Sequence, residues 1–157
     1  MKTILLLLFL GAVAYFGYRE AMAPGKIANP VFAEVRIDIS AGGRDIEAVI
    51  FCKAADEQDC QSRTEITRRG LQKQCPECRL RSAVCKPALN PRYASYFDDA
   101  PANATFLSLD PVERGQREIR LVFWGLTRDE GIALCEKMKS TFQEIHQTPA
   151  RCVLGKA

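Results

Sequence analysis

Apolar and polar side chains alternate strictly over residues 33–39, with Ala33, Val35, Ile37 and Ile39 on one side and Glu34, Arg36 and Asp38 on the other. A period of two is that of a strand buried on one face, so this segment is expected in an antiparallel sheet. Ser40-Ala41-Gly42-Gly43 follows as a turn, because its glycines supply the positive φ a hairpin needs. Ile46, Ala48, Ile50 and Cys52 then resume the alternation, which turns Cys52 toward the core. From Asp56 to about Gln74 the period lengthens to that of a helix. Asp56 is placed to cap it, the acids Asp56, Glu57 and Asp59 fall in its first turn, and Arg68, Arg69 and Lys73 fall late, as the helix dipole favours. Its apolar stripe is thin: Cys60, Thr64, Thr67 and Leu71 line up, with Ile66 to one side. A helix with so little to bury needs covalent help to stay docked.

Residues 79–86 read as a short strand and 87–101 as a long irregular loop carrying Tyr93, Tyr96 and Phe97. Residues 104–109 and 118–124 are two further strands, joined by a turn that contains Pro111 and Gly115. Thr127 and Glu130 form a capping box, and the helix they open sets Cys135, Met138, Phe142 and Ile145 on one side. Pro149 stops it, leaving 151–154 for a last strand. The order of elements defines an α+β class: a mostly antiparallel sheet with two helices on one face, close to a ferredoxin-like split βαβ with an extra N-terminal strand and stapled by disulfides. Residues 32–157 are expected to form a single domain.

Upstream, 4–18 is an uncharged apolar run following Lys2. It lies between the length of a signal-peptide core and that of a spanning helix. Tyr15, Phe16, Tyr18 and Arg19 resemble the collar of a retained anchor, while Ala12-Val13-Ala14 offers a cleavage site. Residues 1–20 are therefore expected to be a membrane anchor or a signal segment, and 21–31, with Pro24, Gly25 and Pro30, a linker. Both readings carry the domain to the non-cytoplasmic side, periplasmic or extracellular: tethered in the first case, secreted after cleavage in the second.

The cysteines point the same way. Seven in 157 residues is a density suited to an oxidising compartment, and the odd number leaves at least one thiol without an internal partner. Cys135 on the last helix and Cys152 on the strand after it are the favoured pair, since a helix packed on its own following strand brings two such positions within bonding reach. Cys52 and Cys60 are similarly placed across a short loop. Cys75, Cys78 and Cys85 then supply one bridge and one leftover.

Two other chemistries compete for Cys75-Pro76-Glu77-Cys78. A redox dithiol wants its first cysteine at a helix N-terminus, and here the motif follows a helix. A zinc site would take Cys75, Cys78 and Cys85, with Cys60 or the single histidine, His146, as the fourth ligand, and no second such motif closes the set. One histidine also excludes His-based triads. Gly42-Gly43 neither precedes a helix nor leads into a Lys-Ser or Lys-Thr pair, so no phosphate loop is present. No cofactor is expected.

A net charge of +3 is too small to argue for nucleic acid, which is not expected as a partner. The charge is nevertheless uneven: 61–92 holds eight Lys or Arg against Glu65 and Glu77. Arg63, Arg68, Arg69 and Lys73, taken with Tyr93, Tyr96 and Phe97, are the candidate binding residues, because charge beside amphipathic aromatics suits an interface. The expected function is that of a membrane-anchored binding or assembly module of the cell envelope, without catalysis, working with a protein partner. The alternatives are a thiol-disulfide protein using Cys75 and Cys78, and a binder of anionic polymer or lipid head groups through the basic segment at 63–92.

Overall fold

The alternation at 33–39 is part of a longer strand, β1 (Val31–Ala41), which pairs residue for residue with β2 (Arg44–Ala54) across a turn in which Gly43 has φ +76°. In this computed structural model the described residues are 27–156 apart from 42, 76 and 112–116. After β2 the chain runs through α1 (Glu57–Gln74), β3 (Cys78–Lys86), a short α2 (Pro91–Ala94) continued by a 3-10 turn (Ser95–Asp98), β4 (Phe106–Leu109), β5 (Ile119–Trp124), α3 (Arg128–His146) and β6 (Ala150–Val153). The strands form one six-stranded sheet in the order β3-β1-β2-β5-β4-β6, with every neighbouring pair antiparallel. The fold is α+β with three helices; the third arises because 87–101 is not irregular. Asn90 caps α2 by accepting from the Arg92 N–H, and Pro91 occupies the first turn, where its missing N–H is harmless.

The two halves of the sheet repeat one plan. A hairpin (β1-β2, β4-β5) leads into a helix, which carries the chain past the hairpin's first strand to a third strand on its outer edge. The halves meet where β2 pairs with β5, and Ile50 lies opposite Leu121. The interval from Ile50 to Leu121 is the same as that from Asp56 to Thr127, the two N-caps, and from Asp59 to Glu130. The repeat is thus carried by capping and register, with almost no identity of sequence.

Both long helices lie on one face. The thin stripe of α1 is used as expected: Cys60 is fully buried and Leu71 packs beside Val35, Ile37 and Ala48. In α3, Cys135, Met138 and Phe142 pack on Leu107, Leu109 and Leu121. Each helix is bolted to the third strand of its own half, α1 by Cys60–Cys85 (Cα–Cα 6.1 Å) and α3 by Cys135–Cys152 (Cα–Cα 6.0 Å). The second pairing was expected. The pairing of Cys60 with Cys52 is corrected: Cys60 packs over Ala33, which lies between Cys52 on β2 and Cys85 on β3, and it bonds Cys85, which leaves Cys52 as a free and buried thiol. Cys75 bonds Cys78, closing the turn between α1 and β3.

The opposite face is crossed by the connection between the halves, a strap made of α2, the 3-10 turn and the residues that flank them. Tyr93 and Tyr96 lie beneath it, 5 % and 1 % exposed, against Phe51, Phe106 and Val122. Arg120 holds the strap down from β5. It is 1 % exposed and donates to the carbonyls of Tyr96, Leu109 and Ile119, and Asp99 and Asp110 stand 3.2 and 3.3 Å from its guanidinium. A buried guanidinium is tolerated there because its donors are matched by carbonyls and carboxylates.

Candidate functional site

The centre of the helix-bearing face is left partly open between the two long helices. Helix α1 sits over β1, β2 and β3, and α3 sits over β4 and β6, so the two straddle the seam between β2 and β5. Ile50, Ile119 and Phe123 on the seam are half-buried and belong to the cores under both helices. Two cavities open there, of about 340 and 190 Å³, with Ile119 and Arg63 common to both. Phe142 of α3 lines the first, and Cys52 and Ile66 line the second. Ile66 is 67 % exposed, the most exposed large apolar side chain among the described residues. The helices and seam thus make an apolar trough with Ile66 on its lip.

One end of the trough is charged. Asp59, on the first turn of α1, accepts from Arg63 and from Arg117 just ahead of β5, each at 2.8 Å. Burial opposes ionisation of this carboxyl, but the Ala55 N–H and the two guanidiniums outweigh burial and hold its pKa below the usual range. The free thiol of Cys52 lies in the wall nearby. Burial pushes its pKa up to about 11, so it is neutral at physiological pH and a poor nucleophile.

The expected binding residues do not converge. Arg63 faces the trough, Arg68 and Arg69 both donate to Glu65 on exposed helix surface, and Lys73 is exposed near the end of α1. Tyr93, Tyr96 and Phe97 lie on the other face of the sheet, where the tyrosines are core and Phe97 meets Phe32 edge to face at 5.6 Å. Charge does reach the tyrosines, but from other residues. Arg36 donates to the Tyr93 hydroxyl at 3.0 Å, and Arg92 donates to it from the strap. Burial works against the phenolate of Tyr93, but these two cations more than compensate and bring its pKa below the ordinary value. Beside them Glu34, buried in β1, accepts from Arg36 and Lys86 at 2.8 Å each.

Cys75 stands at the C-terminal end of α1, where the helix dipole disfavours a thiolate. The four sulfurs considered for zinc are taken as Cys75–Cys78 and Cys60–Cys85, and the His146 side chain lies outside the described residues. What the linear reading missed is the trough. Its floor residues are those of ordinary strands, and only the straddling of the seam by the helices leaves them partly open. The offset of Ile66 from the stripe of α1 was its one visible sign.

The chain matches no family model, and comparison with curated proteins and with solved structures finds no similar protein either. The fold and the trough therefore define a class only: a disulfide-bridged α+β domain built on a six-stranded antiparallel sheet. Among the described residues no helix is long and apolar enough to cross a membrane, and 1–20 lies outside them.

Proposed function

We propose that the chain is a binding module of the cell envelope, held at the membrane through residues 1–20 and presenting its domain on the periplasmic or extracellular side. It works by gripping an apolar segment of a protein partner in the trough between α1 and α3. The observation that carries this reading is Ile66: a large apolar side chain, two-thirds exposed, on the lip of a cavity that Ile50 and Ile119 also line. Apolar surface left open beside a groove is the usual mark of an interaction site. The three bridges support export, since a reducing cytosol would not maintain them. Treating each half as a split β-α-β unit, ferredoxin-like in kind, belongs to the same proposal, with the trough as the space between two such units.

The test is a photo-crosslinking residue placed at position 66 of the full-length chain in its native membrane, with position 137 on α3 as control. A discrete protein adduct at 66, absent at 137 and abolished by Ile119→Asp, is the expected result. Equal capture at both positions, or none, removes the reading. The redox alternative predicts instead that Cys75→Ser with Cys78→Ser abolishes function while leaving the adduct intact.

A further inference from the structure

Where β5 and β6 end and α3 begins, two adjoining cavities open. The larger, about 370 Å³, lies under the strap beside Arg92 and Tyr93, and the smaller, about 170 Å³, lies against Thr105 and Arg128. Asn103, Trp124 and Lys156 form the wall they share, and no acidic side chain lines either one. Arg128 and Lys156 have no ion pair among the described residues, and the side chain of Arg92 has no carboxylate partner there, donating to the Tyr93 hydroxyl and lying over its ring. Most cations of the described residues are matched by carboxylates, and these three, brought together at one pair of cavities, are among the exceptions. Glu47, opposite Trp124 in the β2-β5 register, is already held by Arg36 and Arg81, and Glu130 on the first turn of α3 is held by Arg44.

Three cations without carboxylate partners, around a cavity with an indole wall, are the lining that an anion attached to a ring would satisfy. Its oxygens take charge-assisted hydrogen bonds from guanidinium and ammonium groups, while the ring covers the aromatic face. A dianion matches this charge better than a single carboxylate, and the larger cavity has the volume of a small-molecule site. We propose that these cavities bind a phosphorylated sugar or polyol, free or as the headgroup of a lipid, with the phosphate toward Arg128 and Lys156 and the ring against Trp124.

Trp124 is the chain's single tryptophan, so its fluorescence reports the site directly. The full-length oxidised chain is titrated with glucose 6-phosphate, with glucose and inorganic phosphate as component probes, and in a second arm with phosphatidylcholine vesicles containing phosphatidylinositol 4-phosphate. A saturable change is expected with the sugar phosphate or with the vesicles, weaker with phosphate and absent with glucose. The arm that responds identifies the source of the phosphate. Lys156→Ala and Arg128→Ala are each expected to weaken binding about tenfold, the loss of one charged hydrogen bond, while Arg68→Ala leaves it unchanged. Lys156 supports the fold through its backbone N–H, which donates to the Ala102 carbonyl at 2.7 Å and is kept in the variant. No saturable change in either arm, a response that survives both substitutions, or one equalled by glucose overturns the assignment. The site is separate from the trough, so a negative result here leaves the partner reading standing.

Discussion

Cys60 is bonded to Cys85, which fixes the first turn of α1 to the far end of β3 and compensates for a helix that buries little of its own surface. The bridge closes a longer stretch of chain, a separation of 25 residues, than Cys135–Cys152 at 17 or Cys75–Cys78 at 3. Loop-closure entropy then ranks them: replacing both cysteines by alanine is expected to cost roughly 3.5 kcal/mol for the first, roughly 3 for the second and roughly 1.5 for the third. Urea unfolding of the three double variants checks the order. A Cys75–Cys78 variant less stable than the Cys60–Cys85 variant contradicts it.

Arg120 is expected to be the most sensitive charged position in the domain. Arg120→Met removes the group that satisfies three carbonyls and faces Asp99 and Asp110, at an expected cost of about 3 kcal/mol. Because the strap is what it holds, proteolysis should move to residues 95–101 in the variant before the sheet melts. Unchanged thermal and proteolytic stability would remove the clamp from the account.

Cys52 should resist alkylation in the folded protein and react once it is denatured, as the single free thiol among the described cysteines. Its pKa is raised from 9.0 to about 11 by burial, so the neutral form is the one the fold favours. The contribution is therefore complete below about pH 9 and is lost as pH rises toward 11, where ionisation pulls the chain toward unfolding. Iodoacetamide labelling with intact-mass readout, and melting curves between pH 8 and 11, test both statements. Rapid native labelling at pH 7 would show that the thiol is not enclosed.

Thr127 accepts from the Glu130 N–H while Glu130 reaches back to the Thr127 N–H, so the start of α3 depends on both. Thr127→Ala is expected to cost about 1 kcal/mol. The Arg44 guanidinium is the main influence that lowers the Glu130 carboxyl to about 2, followed by the Thr127 N–H and hydroxyl. With the folded value below the unfolded one, the stabilisation is present above about pH 4.5 and is lost as pH falls toward 2. Acid titration by circular dichroism should show an earlier loss of helix in Arg44→Ala than in the parent. Coincident curves would separate Arg44 from the cap.

Most elements were legible in the residues because period and capping are local signals. The alternation at 33–39, the Thr127-Glu130 box and the spacing from Cys135 to Phe142 each determine their own element. The partner of Cys60 was not legible, since it depends on β3 crossing to the outer side of β1, which no local pattern encodes. Tyr93 and Tyr96 looked like loop aromatics for the same reason: the face they cover exists only once β2, β4 and β5 are side by side. The uncompensated cations Arg92, Arg128 and Lys156 come from three distant stretches, and Lys156 carried no sign of a role in its own neighbourhood.

All three sulfur links lie within a half, two in the first and one in the second, and none spans the line where β2 meets β5. Force applied across that line would therefore break no covalent cross-link as the strands separate. It would part the protein into two cross-linked lobes joined by the strap, each able to re-register against the other once the load is released.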